Sequence, residues 1–281
     1  MKKVISASRR TDLVSFFPEW LSRAVEEEKA RVYGPSGRTY SVDLKPESVH
    51  TVVLWSKNFA NLIENRDGLQ DRLRKYEQLY FHFTITGLGG SHIEKAVPEP
   101  QASLEQIGPL VELAGRPERI SLRFDPVLFW KDGETIQTNL PFFEKLAPRA
   151  ASLGIKNIRF SFAQWYGKSK RRAAKRGFVY WDLPLEEKRK AAAVLSETGR
   201  LCGLSLFACS QDFLADVPGI KPSSCIDGRL LQEIHPSGEP ASLLKDKTQR
   251  RECRCTESVD IGSYAQTCPH SCLYCYANPR L

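Results

Sequence analysis

No stretch of this sequence stays apolar for anything near the roughly 18 residues that a membrane-crossing helix needs, which excludes helical insertion into a bilayer. No export leader is expected either. Lys2 and Lys3 imitate the basic start of one, but Ser6, Ser8, Arg9, Arg10 and Asp12 leave no room behind them for its apolar stretch. The expected location is the cytoplasm. No internal repeat or low-complexity tract interrupts the chain. Acidic residues are the scarcer charge, 33 against 41 Lys and Arg for a net +8, a lean that suits anionic partners such as nucleic acid, nucleotides or phosphorylated metabolites, and that also serves solubility.

What is present is enough for a sizeable core, since 281 residues with 41% hydrophobic content make one large α/β domain or two small ones. Short apolar stretches alternate with helix-length amphipathic ones. Val4–Ser8, Thr51–Trp55, Leu79–Thr86, Ile120–Phe129, Asn157–Phe162 and Leu204–Ser210 read as strands; Phe17–Glu28, Phe59–Arg74, Ser103–Ala114, Leu140–Leu153 and Leu185–Leu201 read as helices. Alternation of this kind implies parallel βαβ units: an α/β fold, read as a partial six-stranded (β/α) TIM-like barrel, with a doubly wound sheet as the alternative.

The strands themselves alternate. In Tyr80–Thr86, residues His82, Thr84 and Thr86 share one face and Phe81, Phe83 and Ile85 the other. Arg123 and Asp125 oppose Leu122 and Phe124, and Arg159 and Ser161 oppose Ile158 and Phe160. Parallel strands covered by apolar layers on both sides read as continuous apolar runs. A polar face therefore implies a lumen that meets water, a ligand or internal salt bridges such as Arg123 with Asp125. Working groups are expected in the loops after the strands: Ser8–Asp12, Ser56–Asn58, Thr86–Gly90, Asp125-Pro126 and Ser210–Asp212. Arg9, Arg10, Lys57 and Arg123 are candidate anion contacts, with Asp12 and Asp125 as orienting partners or ribose ligands. Asp12 and Thr11 also suit a helix cap. Thr86 and Gly87 open a short Gly-rich turn, a candidate cofactor contact without the full phosphate-loop spacing.

The character of the chain changes from Ser223 onward, which divides it into residues 1–222 and a Cys-rich tail, 223–281. Five of the eight cysteines lie between Cys253 and Cys275, and in a reducing compartment they read as metal ligands before disulfides. Cys268, Cys272 and Cys275 form a CxxxCxxC triplet, able to hold three corners of a [4Fe–4S] cluster and leave one iron open. Cys209, Cys225, Cys253 and Cys255 could ligate a second cluster, while Cys202 reads as core filler. A zinc site from Cys253, Cys255, Cys272 and Cys275, with His270 as a substitute ligand, is the competing assignment. A third reading is a nucleic-acid-binding protein with structural clusters. It rests on the basic run Lys168–Arg176 beside Tyr166, Phe178, Tyr180 and Trp181.

Several motifs together carry a resemblance: Ile5–Asp12, Trp55–Asn58, Arg123–Pro126, Cys225–Gly228, and a tail running from Ser258–Gly262 to Tyr276-Ala277-Asn278. Over essentially the whole chain they resemble the bacterial domain-of-unknown-function family numbered 1848. The final triplet, followed by Tyr276-Ala277, also resembles the cluster loop of radical S-adenosylmethionine enzymes related to spore photoproduct lyase. That resemblance implies a six-stranded partial barrel, cluster ligation by Cys268, Cys272 and Cys275, and S-adenosylmethionine chelated at the open iron. It further implies Tyr274 near the adenine, hydrogen abstraction from an anionic, nucleotide-like substrate, and an electron donor such as flavodoxin or ferredoxin. One departure stands out. Such enzymes carry the triplet after the first strand, whereas here it lies at the C-terminus, so the tail must fold back over the barrel mouth.

Overall fold

The computed structural model describes residues 1–34, 37–277 and 279; Asn278 of the tail motif lies outside them. Eight parallel strands form one sheet. Their order across it is Val259–Asp260, Lys3–Ala7, Val49–Ser56, Leu79–Thr84, Ile120–Val127, Asn157–Phe162, Ser205–Ala208 and Ile220–Pro222. Apart from the last strand, which returns beside the first, neighbours follow chain order without reversal. In a doubly wound sheet the order reverses at a switch point, so the described strands do not follow that alternative.

The period-two pattern explains how the sheet is covered. Ile5, Leu54, Phe81, Phe83, Leu122, Phe124, Ile158 and Phe160 point to one face and pack with Leu21, Ile107, Leu146, Leu195 and other helix residues in the main core. Each large side chain fully buried there contributes roughly 1.5–3 kcal/mol. The opposite face is polar, yet it is buried too. His82 and Arg159 are 0% and 3% exposed, because the tail lies across them. Val53, Trp55 and Tyr80 pack there with Cys225, Ile226, Leu231 and Ile234.

Six strands were expected and eight form. The two extra ones are too short for a periodic signal: Ile220–Pro222 ends in a proline, and Val259–Asp260 is held by its pairing with Ile5 and Ser6. The expected helix Phe59–Arg74 is broken into Ala60–Ile63 and Leu69–Leu73, since Asn65, Asp67 and Gly68 take left-handed conformations. The run read as Ile120–Phe129 stops at Val127, and Phe129–Asp132 joins a separate antiparallel sheet with Thr135–Thr138 and Val179–Tyr180. A hairpin of Lys29–Tyr33 with Thr39–Asp43 was not foreseen. Neither was the helix Gly167–Lys175, which occupies the basic run. No helix among the described residues is long and apolar enough to cross a membrane.

Candidate functional site

The loops after the strands and the tail enclose one cavity of ≈ 270 Å³. Two carboxylates hold the tail there. Asp260 accepts from Ser8 Oγ at 2.7 Å and Gly262 N at 2.9 Å through Oδ1, and from Ser6 Oγ at 2.9 Å and Arg9 N at 2.8 Å through Oδ2. Gly262 has no room for a side chain, since a Cβ would sit 1.9 Å from Ser8 Oγ. Asp12 accepts from Ser15 N at 2.9 Å, which caps the helix Leu13–Phe16. The same carboxylate also accepts from Ser56 Oγ at 2.8 Å and Lys57 N at 2.9 Å and bonds His270 Nε2 at 2.8 Å. Tyr276 donates its hydroxyl to the Arg9 carbonyl at 3.1 Å. The Cys268–Cys275 loop therefore lies against Ser8–Asp12, the loop that follows the first strand, although more than two hundred residues separate them in the chain.

Seven of the eight cysteines line this cavity. Cys202, at the end of the helix Leu185–Leu201, packs instead against the main core. The seven divide in two. Cys209 Sγ lies 3.4 Å from Cys225 Sγ, and Cys255 reaches both Cys225 and Cys253. Hydrogen bonds from Cys209 and Cys255, with help from Arg123, hold the Cys225 thiol well below its ordinary pKa. Cys209 and Cys255, the groups that give those bonds, are held above theirs. A bond from Cys255 lowers Cys253 to about 6. In the triplet the direction reverses. Burial and then Asp12 push Cys268 up to about 12, and burial followed by Glu94 raises Cys272. Cys275 is raised by burial, which outweighs the backbone bond from Ala277 and the charge of Arg172. Cys253 and Cys255 thus associate with Cys209 and Cys225, not with the Cys272 and Cys275 of the zinc assignment.

Three side chains carry the triplet loop: Arg172 and Glu94, which sequence reasoning did not single out, and His270, read there as a substitute zinc ligand. Arg172 sits in the basic run but turns inward, its Nη1 within hydrogen-bond distance of the carbonyls of Cys275 at 2.9 Å, Leu273 at 3.0 Å and Cys272 at 3.3 Å. Glu94, fully buried, accepts from Lys57 Nζ at 2.9 Å, from Thr86 Oγ1 at 2.8 Å and from the Tyr274 hydroxyl. Burial works against the Lys57 charge, but Glu94 and then Cys272 outweigh it and hold the ammonium above its ordinary pKa. His270 spans Asp12 and the Ala96 carbonyl, which its Nδ1 reaches at 3.0 Å. Glu94 lies in an irregular segment with no period to mark it. Arg172 was concealed by its exposed basic neighbours.

Arg9, Arg10, Asp12, Lys57, Arg123, Asp125 and Tyr274 all reach the cavity wall. Arg123 pairs with Asp125, which also accepts from Ser161 Oγ. Arg10 turns its guanidinium toward Tyr40 Oη at 3.1 Å and the Gly262 carbonyl at 3.0 Å. Thr86 and Gly87 stand outside the wall. Gly87, at φ +76°, is pressed by Phe142, whose Cγ would be 2.3 Å from an added Cβ, so the turn is glycine-rich for packing reasons. Below the floor, Trp55 stacks on His82 at 4.1 Å, and His82 Nε2 donates to the Cys225 carbonyl at 2.7 Å. Phe178 and Trp165 are buried with Leu273 in a small core, against which the partly buried Trp130 and Tyr180 pack.

Among the described residues, no three Cys, His, Asp or Glu side chains surround a single metal-ion position. The donor set does fit an iron–sulfur group in its chemistry, with seven thiols lining one cavity in two groups and arginines beside them.

A family model described as a domain of unknown function, DUF1848, matches residues 4–277. No curated protein matches the sequence. Among solved structures, a D-hydantoinase from Bacillus sp. AR9 is 13% identical with a TM-score of 0.33, over 79% of this chain and 45% of that one. A dihydropyrimidinase from Brevibacillus agri NCHU1002 is 13% identical with a TM-score of 0.33, over 84% and 48%. The carboxyl transferase domain of Rhizobium etli pyruvate carboxylase is 10% identical with a TM-score of 0.28, over 84% and 43%. The chain spans under half the length of each, and at these scores the likeness carries no argument.

Proposed function

The chain belongs to the DUF1848 family, whose description carries no activity, and from its own residues we propose that it is an iron–sulfur enzyme of the radical S-adenosylmethionine type. The observation that carries this reading is the position of the CxxxCxxC loop. It lies beside the loop after the first strand, where the radical enzymes that the triplet resembles carry their cysteines, and on the wall of a cavity that the strand ends also line. With this goes the finer architecture: a partial (β/α) barrel over residues 1–222 whose polar face is its lumen, roofed by the Cys-rich tail 223–281.

Cys268, Cys272 and Cys275 would hold a [4Fe–4S] cluster, and Cys209, Cys225, Cys253 and Cys255 a second. Bound at the triplet, the cluster would supply the single electron that cleaves S-adenosylmethionine and so begins hydrogen abstraction from a substrate. The chain's own residues bind, orient and keep water out. Arg172 fixes the carbonyls of the triplet loop. Asp12, through His270 and the Lys57 amide, ties that loop to two strand ends. Glu94 holds Lys57 and the Tyr274 hydroxyl at the wall, and Tyr274 is the aromatic side chain offered to a nucleoside there. A cytoplasmic flavodoxin or ferredoxin is the proposed electron source. The row of four sulfurs from Cys209 to Cys253 also matches the donor set of a zinc site, and that is the second reading. The inward turn of Arg172 and the burial of Phe178 weaken the nucleic-acid reading.

Iron, sulfide and zinc contents of anaerobically purified protein test the proposal, together with electron paramagnetic resonance of the reduced sample with and without S-adenosylmethionine. A [4Fe–4S] signal that changes on adding it is the expected outcome; zinc alone would end the radical reading. Cys268→Ala and Cys255→Ala should each remove a different portion of the iron. If both remove the same portion, there is one cluster and not two.

A further inference from the structure

The cavity wall holds guanidinium groups that the protein does not satisfy. Arg9 Nη2 and Arg123 Nε are buried without a hydrogen-bond partner. The nearest carboxylate to Arg9, that of Asp246, stands 3.7 Å away. Arg250 Nη1 donates to Gln164 Oε1 at 2.6 Å and to the Tyr166 hydroxyl at 2.8 Å, and both partners are neutral. Arg123 keeps Asp125 on its Nη2 and leaves Nε free, Lys57 is paired with Glu94 at 2.9 Å, and Arg10 stands 3.9 Å from Asp260.

The three guanidinia share one place. Arg9, Arg123 and Arg250 all line the cavity. Buried donors without partners are uncommon and call for a ligand or a strain account. A desolvated guanidinium with free N–H groups is suited to an oxyanion that accepts two parallel bonds. A carboxylate offers two oxygens. A phosphoryl group offers three, with a charge near −2, and so can accept from guanidinia that approach from separate directions.

We propose that the cavity binds a phosphoryl-bearing small molecule, with Arg250 and Arg9 gripping the phosphoryl group and Arg123 completing its shell from the strand end. This names the substrate class of the iron–sulfur enzyme described above and rests on that reading. The rival account is that the arginines only offset the sulfurs of Cys209, Cys225 and Cys255 beside them, in which case they bind no added anion.

The test is calorimetric titration at low salt with inorganic phosphate, and separately with malonate, on iron-reconstituted protein whose iron is measured in the same sample. Saturable phosphate binding is expected, with malonate at least tenfold weaker. Arg250→Gln should weaken phosphate about tenfold with iron content unchanged, and Arg250→Lys should recover part of the loss. Arg250 is itself exposed, on a loop outside all three cores, so the variant keeps the fold. Phosphate that fails to saturate, that binds no better than malonate, or that binds Arg250→Gln as well as wild type overturns the inference. Lost iron with phosphate binding intact would sink the iron–sulfur reading alone, and retained iron without phosphate binding would sink this inference alone.

Discussion

Replacing Arg172 with Met keeps most of the side-chain stem and deletes the charge that holds the triplet loop. The guanidinium Nη1 stands 2.9 Å from the Cys275 carbonyl, 3.0 Å from Leu273 and 3.3 Å from Cys272. A single terminal nitrogen carries two hydrogens, so two of these bonds form at once. Hydrogen bonds to a charged group are worth about 1.5–3 kcal/mol each. The Cys272 and Leu273 carbonyls belong to buried residues, so the low end, about 3 kcal/mol in total, is a floor. At roughly 1.4 kcal/mol per factor of ten, the loop should open at least on the order of a hundredfold more often. Native-state hydrogen exchange reads this through the Leu273 amide, bonded to the Ile93 carbonyl, and the Cys275 amide, bonded to Cys272. Their protection should fall by that factor while the amides of Leu122 and Phe160 in the sheet keep theirs. Iron retention should fall in parallel, and the exposed neighbour Arg171, changed to Met, should alter neither. Unchanged protection at Leu273 and Cys275 would refute the argument, and so would an equal loss in the sheet, which would make Arg172 a support of the whole fold.

Glu94→Gln leaves the Lys57 ammonium buried opposite a neutral amide and should cost about 3–5 kcal/mol in urea unfolding; pairing it with Lys57→Met should recover much of that. Gly87→Ala forces a Cβ against Phe142 at a left-handed φ, and its melting temperature should drop, by several degrees if the cost is about 2 kcal/mol. His50, buried beside His235 and bonded to the Glu239 carbonyl at 2.8 Å, has its pKa lowered by burial. The unfolded chain therefore binds a proton that the folded chain refuses. Stability is retained above the unfolded His pKa of about 6.5 and lost as pH falls below it, by at most about 1.4 kcal/mol per pH unit for one proton. His50→Gln should flatten the stability curve between about pH 6.5 and 5, and an unchanged slope would show that His50 does not titrate on unfolding.

Much of the fold was legible because it depends on local chemistry. A period of two divides Phe81 and Phe83 from His82 and Thr84 whatever lies around them, and the helix Leu185–Leu201 and strand Asn157–Phe162 fall where their patterns predict. The two short edge strands and the break at Asn65–Gly68 were not legible, because strands of two or three residues and single left-handed turns leave no periodic trace; the hairpin strand Lys29–Tyr33 does alternate, with Ala30 and Val32 buried, but only two apolar residues mark it. Within the candidate site, residue types could be read and their partners could not. Glu94 looks like any surface glutamate until Lys57, Thr86 and Tyr274 are brought to it, and Arg172 is one of several basic residues until the triplet loop is laid beneath it.

The amino-acid sequence by itself determined family membership, the parallel α/β pattern and the presence of seven thiols that a cavity could use, since these follow from residue identity and spacing. Which thiols meet was decided only in three dimensions. Cys253 joins Cys225 and Cys209 and not Cys272, and residues 260–276 reach the loop after the first strand. The second depends on two carboxylates, Asp260 and Asp12, whose hydrogen bonds join segments that are remote along the chain and adjacent only once the sheet has formed.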